Sequence, residues 1–172
     1  GPPVRPHQRE GVWEEIFMGR FTYEPSQGAA QYRRTLYAFW RRSIAPTFLF
    51  DSAQRRVCEV GMSRTNTPLQ ALTLLNDQTM MEASQALAAQ MLVRSQPPAQ
   101  RLDWLTRQVL SRPATAQEIQ VLSRELDRAL KHSRDQPGDA EKYLGQKAPP
   151  ELAAHTLIAS LVLNLDEALT HE

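Results

Sequence analysis

The chain has 172 residues, with 20 Lys plus Arg against 19 Asp plus Glu, a formal net charge of +1. That length suits one ordinary domain, and that balance excludes a dedicated nucleic-acid binder or a polybasic membrane binder, each of which needs a clear positive excess. Hydrophobic residues at 41% and charged residues at 23% exclude a disordered chain, and 12 prolines with 7 glycines favour helices separated by short loops.

Residues 1–28 read as irregular, because Pro2, Pro3, Pro6 and Pro25 interrupt any periodic pattern. The opening Gly1-Pro2-Pro3, without Met, is expected of a processed product or a fragment. Residues 12–17 are short and aromatic, suited to pinning a loop onto a core. The next run, residues 32–42, is ambiguous. Tyr32, Leu36, Phe39, Trp40 and Ser43 share a helical stripe, while the aromatic and Thr content favours an extended segment. Residues 44–60 read as loop and short strand. They contain the lone cysteine, Cys58, which excludes an intramolecular disulfide and any zinc site with more than one thiolate. Cys58 reads as a small, semi-buried hydrophobe.

From Thr67 the pattern is helical. Thr67 can cap, Pro68 stands where its missing N–H costs nothing, and Gln70 closes a capping box. Leu69, Leu72, Met80, Ala83, Leu87 and Met91 form a stripe that predicts one helix to about Val93. Pro97-Pro98 precede a second helix from about Ala99 to Leu110, with Leu102, Leu105 and Val109 inward. Thr115 and Glu118 predict a capping box opening a third, with Ile119, Leu122, Leu126 and Leu130 on one face. Residues 133–138 read as a polar linker and residues 140–144 as a helical turn. A last helix is expected from Glu151 to about Leu169, with Ala154, Leu157, Ile158, Leu161, Leu165 and Leu169 as its apolar stripe. The fold class is therefore mainly α, a bundle of about four helices after an irregular N-terminal third with room for short strands. As domain organisation, residues 1–172 read as a single domain fragment, 1–65 aromatic and Arg-rich, 66–172 helical. The longest near-apolar run, residues 157–165, is far short of the roughly 20 residues of a membrane span.

Polar residues on apolar stripes are the informative ones, since a buried amide without a partner costs about 1–3 kcal/mol. Asn76 and Asn164 fall in such places, with each other, Arg64, Asp77 or the Asp166-Glu167 pair as candidate partners. A structural network fixing helix register is the favoured reading. The alternative is a ligand or ion held by Asn76, Asp77, Asp166 and Glu167. Charge is unevenly spread: residues 31–64 hold seven arginines against Asp51 and Glu59, and residues 135–172 hold seven acids against Lys142 and Lys147. Arg33 and Arg34 sit in the aromatic run, where guanidinium planes and rings can stack on sugars or pair with sulfate. Pairing of the arginines with the acidic C-terminal block is favoured over that. His7, His132, His155 and His171 have no helical metal-site spacing, and His155 reads as a satisfied core or interface histidine. No nucleophile elbow, phosphate-cradling loop, zincin helix or EF-hand loop is present, so no catalytic residue and no metal ligand is assigned.

Four blocks share an order and spacing with one family: residues 32–42; Arg64-Thr65-Asn66-Thr67-Pro68-Leu69-Gln70 running on to Asn76-Asp77; Leu110-Ser111-Arg112-Pro113 followed by Glu118; and residues 151–154 leading to Leu163-Asn164-Leu165-Asp166-Glu167. The chain resembles the planctomycete-type domain of unknown function that forms the C-terminal part of large exported proteins. In that family a further N-terminal half with an Asn-Arg-x-Trp type motif precedes the part resembled here. Some members carry Pro within the run matching residues 37–40, which tilts that run toward an extended form. The resemblance implies export to the periplasm or cell surface and association with other domains of the same protein. It also implies a c-type haem on a neighbouring domain, none being expected on this chain, which lacks Cys-x-x-Cys-His. By context it implies polysaccharide or sulfated-glycan catabolism, with a glycan as ligand.

The expected role is a structural or interaction module of an exported, cytochrome-linked protein. The alternative is part of an enzyme or carbohydrate site, with Arg33, Arg34, Arg64, Asn66, Asn76, Asp77, Asn164, Asp166 and Glu167 converging on one cleft.

Overall fold

The computed structural model of the chain describes residues 2–8, 10–33, 35–39, 68–94 and 96–169. Two compact units are present, Gly1–Thr73 and Leu74–Glu172. Among the described residues the elements are α1 (Val12–Ile16), 3-10 turns at Gly28–Gln31 and Thr35–Tyr37, α2 (Pro68–Asn76), α3 (Gln78–Val93), α4 (Pro98–Leu110), α5 (Ala116–Asp135), α6 (Pro137–Leu144), α7 (Pro150–Leu163) and α8 (Asp166–Leu169). The fold is mainly α, and its four substantial helices are α3, α4, α5 and α7. The expected cap at Thr67 and the loop, short strand and thiol expected within residues 44–60 lie outside the described residues.

Trp13, on α1, is the centre of an aromatic cluster among the described residues of the N-terminal unit. Its ring stacks on Tyr23 at 4.8 Å, on Phe17 and Phe39 at 5.7 Å each, and leans on Phe21 at 5.1 Å. The indole N–H donates to Gln8 Oε1, so the buried ring leaves no orphaned donor. Tyr23 donates its hydroxyl to the Pro6 carbonyl at 2.7 Å, and burial pushes its pKa up to about 12. A parallel bridge joins Val4 to Ala38, with Val4 N–H bonding Tyr37 O at 2.8 Å and Phe39 N–H bonding Val4 O at 2.6 Å. The ambiguous run of residues 32–42 is thus, where described, a 3-10 turn and one bridge, not a regular helix. Of its aromatic residues, Phe39 joins the Trp13 cluster.

The helical unit is organised around α7, which packs against α3, α4, α5 and α6. Residues 153–156 are buried, as are Ile158, Ala159, Ser160 and Val162, so the helix is enclosed on most of its circumference. Met91, Leu102, Leu105 and Leu126 from α3, α4 and α5 close on Ile158 and Val162. Ala, Ser and Thr on α7 and α3 let the backbones approach, and three of the buried hydroxyls bond one turn back. Ser84 donates to Met80 O at 2.8 Å, Thr106 to Leu102 O at 3.0 Å and Thr156 to Leu152 O at 2.7 Å.

This corrects the expected apolar stripe. Leu157, Leu161, Leu165 and Leu169 are 38–44% exposed, while small residues and Ile158 face the core. On α3 the buried face is likewise Ser84, Ala88 and Met91, and on α2 Leu72 is exposed. The α4 and α5 faces match expectation, with Leu102, Leu105 and Leu126 buried and Ile119, Leu122 and Leu130 packed on them.

Helix boundaries differ at three places, each with a local cause. The single helix expected to run to Val93 breaks at Asp77, which adopts an extended backbone and accepts bonds at Oδ1 from Thr79 N–H (2.9 Å) and Met80 N–H (3.2 Å). A carboxylate there satisfies otherwise orphaned N–H groups and favours the positive end of the helix. The polar linker expected at residues 133–138 is helical except at Gln136, because Pro137 reopens the chain as the first residue of α6. The helix expected to reach Leu169 stops at Leu163, with Asn164 as its C-cap, and resumes as α8. The Thr115–Glu118 capping box forms in both directions: Glu118 N–H reaches Thr115 Oγ1 at 3.2 Å, and Thr115 N–H reaches Glu118 Oε2 at 2.7 Å.

Candidate functional site

The residues singled out by sequence occupy different kinds of place. Arg33 is exposed in the N-terminal unit, where it donates to Pro2 O at 3.0 Å and stands 5.9 Å over the Tyr37 ring. Arg34, Arg64 and Asn66 lie outside the described residues. Asn76 is exposed at the end of α2, so the expectation of a buried amide on an apolar stripe fails there. Asp77 is the buried cap of α3. Asn164 is half-buried and closes α7 through its backbone N–H to Ser160 O at 3.1 Å. Asp166 is exposed at the start of α8. Glu167 forms an ion pair with Arg112, which the sequence places in a family block but not among the candidate site residues.

Arg112 is the best-connected charge among the described residues. Ser111 ends α4 in the left-handed region at φ 58°, and the chain then turns through Arg112 and Pro113 into α5. From that turn Arg112 grips Glu167 through Nε and Nη2, both at 2.6 Å, and Glu118 through Nη1 at 3.0 Å and Nη2 at 2.7 Å. A planar guanidinium fits two carboxylates in this way where a lysine cannot. The same loop is tied to α4, since Ala114 N–H donates to Asp103 Oδ1 at 2.9 Å and Arg107 holds Oδ2 at 2.7 Å. Arg112 pulls the Glu118 carboxyl down to about 2 and holds Glu167 below the usual carboxylate range; Arg107 does the same to Asp103. The two carboxylates in turn raise Arg112 further above its ordinary value. The sequence signal for this cluster was the capping box, which fixes Glu118 three residues past Thr115 and six past Arg112.

His155 is 5% exposed and bonds through Nδ1 to the Glu151 carbonyl at 2.8 Å, which places the ring proton on Nδ1. Burial first, and the nearby Arg101 charge second, push its pKa below the ordinary 6.5, while the Glu151 carbonyl and carboxylate pull it back in part. The sign follows. The unfolded imidazole takes up a proton near pH 6.5 and the folded one does not, so this contribution is present above that pH and is lost as pH falls below it. Urea denaturation at pH 7 and pH 5.5 should show a smaller loss of stability in His155→Gln than in the parent chain. Equal losses would remove His155 from the account. The low carboxylates Glu118, Glu167, Asp103 and Glu151 act in a separate window, below about pH 4.5.

Two of the depressions among the described residues of the helical unit differ in character. One, about 420 Å³, lies between α5, α6 and α7, with an alanine-rich floor and the Tyr143 ring in its wall. Burial raises the Tyr143 pKa, offset in part by a hydrogen bond with Ser160. The other, about 650 Å³, runs from Asn76 along α3 to the end of α6, and Gln78, Glu82, Gln85, Lys142 and Gln146 make it polar. Gln85 steadies the end of α6 there by donating to Leu144 O at 3.1 Å. Among the described residues no three His, Cys, Asp or Glu side chains are grouped to hold a metal ion, and no helix is long and apolar enough to cross a membrane.

Neither a curated protein nor a solved structure matches the chain. The family model PSD1, described as a protein of unknown function (DUF1553), matches residues 1–126. The match ends inside α5, so Arg112 and Glu118 lie within it and Glu167 beyond it. With that much of its 172 residues covered, the chain belongs to the PSD1 (DUF1553) family.

Proposed function

We propose that the chain is a structural or interaction module, the C-terminal helical part of an exported, cytochrome-linked multidomain protein, working against the other domains of that protein. The observation that carries this reading is the Arg112 fork. It joins residues from two of the blocks on which the family resemblance rests, and it uses Glu118 and Glu167 to hold α5 and α8 to the α4–α5 turn. Asp77, from a third block, is used to start α3. Side chains whose carboxylates are bound to the chain's own guanidinium and N–H groups are suited to holding a shape. Export to the periplasm or cell surface, and a c-type haem on a neighbouring domain, rest on the resemblance.

A second reading draws on the polar groove beside Asn76. Amide side chains such as Asn76, Gln78, Gln85 and Gln146, with Lys142 and Glu82, are the groups that pair with sugar hydroxyls and sulfates. A glycan site shared with another part of the protein is the function that groove would serve.

One experiment separates the two. Arg112→Ala, placed in the full-length protein, should lower the Tm, with the deficit shrinking at high salt, while any glycan binding or turnover by that protein is unchanged. Loss of glycan binding or turnover with an unchanged Tm would sink the structural reading and favour the glycan site.

A further inference from the structure

In the cleft between α5, α6 and α7, Ala129, Ala140, Ala153 and Ala154 leave an open space of about 420 Å³. That volume, with a mainly apolar lining, falls in the range of about 300–1,000 Å³ typical of small-molecule sites. Space alone does not make a site, and Ser133 supplies the second observation. It is 7% exposed and lines the cleft. Ser84, Thr106 and Thr156 bond to the carbonyl one turn back. The Ser133 hydroxyl makes no such bond, and no other, among the described residues. A hydroxyl so placed opens onto an otherwise largely apolar space, where it can both donate and accept a hydrogen bond.

The mouth constrains the charge of an occupant. Arg128 is paired with Glu125 at 2.8 Å, and His132 stands 3.8 Å from Asp139 across the gap between α5 and α6. Arg128 and Glu125 already satisfy one another, so a charged ligand would have to break that pair to gain one of its members. A neutral ligand loses nothing there.

We propose that this cleft binds a neutral, compact apolar molecule carrying one hydrogen-bonding oxygen, with its body on the alanine floor and its oxygen at Ser133. A phenol or aryl alcohol is the chemistry that fits. The site goes beyond the module reading and does not depend on it.

Ligand-detected NMR on the whole chain tests the proposal, with 2-naphthol as probe and naphthalene as the analogue lacking the oxygen. The parent chain should bind 2-naphthol saturably and at least about fivefold more tightly than naphthalene, the worth of one ordinary hydrogen bond. Ser133→Ala should erase that preference while leaving naphthalene binding intact. Ala153→Leu should fill the floor and abolish binding of both. Leu161→Arg changes an exposed residue of the wall, so it keeps the test open if Ala153→Leu does not fold, and it should weaken both at least about tenfold. The proposal is overturned by an absence of saturable 2-naphthol binding, by binding indifferent to both wall and floor variants, or by a preference for 2-naphthol that survives Ser133→Ala.

Discussion

Ile158→Ala should lower the unfolding free energy of the helical unit by about 2–5 kcal/mol, the cost of a buried large-to-small change with its residual cavity. Ile158 is fully buried on α7, closed in by Met91, Leu102, Leu105 and Leu126 from three other helices. Because those helices meet at α7, the void cannot collapse by shifting one neighbour without disturbing the others. A domain of this size has about 5–15 kcal/mol in all, so the variant should be near its unfolding threshold at raised temperature. Urea denaturation followed by far-UV circular dichroism measures the change. Leu161→Ala is the control. Its side chain is of similar size but sits on the exposed face of the same helix, and it should cost less than about 1 kcal/mol. Equal losses at the two positions would mean that the inward face of α7 has been misassigned.

That pair of residues also shows where sequence and structure part. Both Ile158 and Leu161 lie on the stripe that periodicity selects, yet one is fully buried and the other is not. Periodicity identifies the core face when a helix has one apolar side, as α4 and α5 do. It loses that power on a helix packed from several directions, where Ala, Ser and Thr are the inward residues because close backbone approach requires small side chains. The boundaries were legible wherever a cap was unambiguous, as at Thr115 and Pro98. They were not legible at Asp77, because the flanking apolar pattern continues in register across the break and hides it. Asp77 is itself a good N-cap residue, so the signal was present and was outweighed by the stripe.

The candidate site was less legible than the fold. The sequence points to Glu167 but not to its partner, since the 55 residues separating it from Arg112 are spanned by α5, α6 and α7. A charge pair so distant in sequence is fixed by the packing of those helices, which no local pattern encodes. Ser133 was passed over for a related reason: it stood in a stretch read as linker. Only its place on α5, turned toward the cleft side of the unit, makes its hydroxyl informative.

The second large effect is expected in the N-terminal unit. Trp13→Ala removes the ring against which Phe17, Phe21, Tyr23 and Phe39 are arranged, and strips Gln8 of the indole N–H it accepts. Truncating a buried tryptophan costs about 3–5 kcal/mol, and this unit has few other large buried side chains among its described residues to absorb the loss. Among its described residues, the backbone ties between segments distant in sequence are the bonds of the Val4–Ala38 bridge and Ser26 N–H to Arg5 O at 2.8 Å. The near-UV circular dichroism of the packed aromatic rings should therefore collapse in Trp13→Ala. The far-UV helical signal comes chiefly from α3, α4, α5 and α7 and should be largely retained, because the ring stack is built from Phe17, Phe21, Tyr23 and Phe39 of the N-terminal unit itself. A parallel loss of both signals would show that the two compact units fold as one cooperative body. An intact near-UV signal would mean that the other aromatic rings hold their packing without Trp13, and that the cluster is not organised around it.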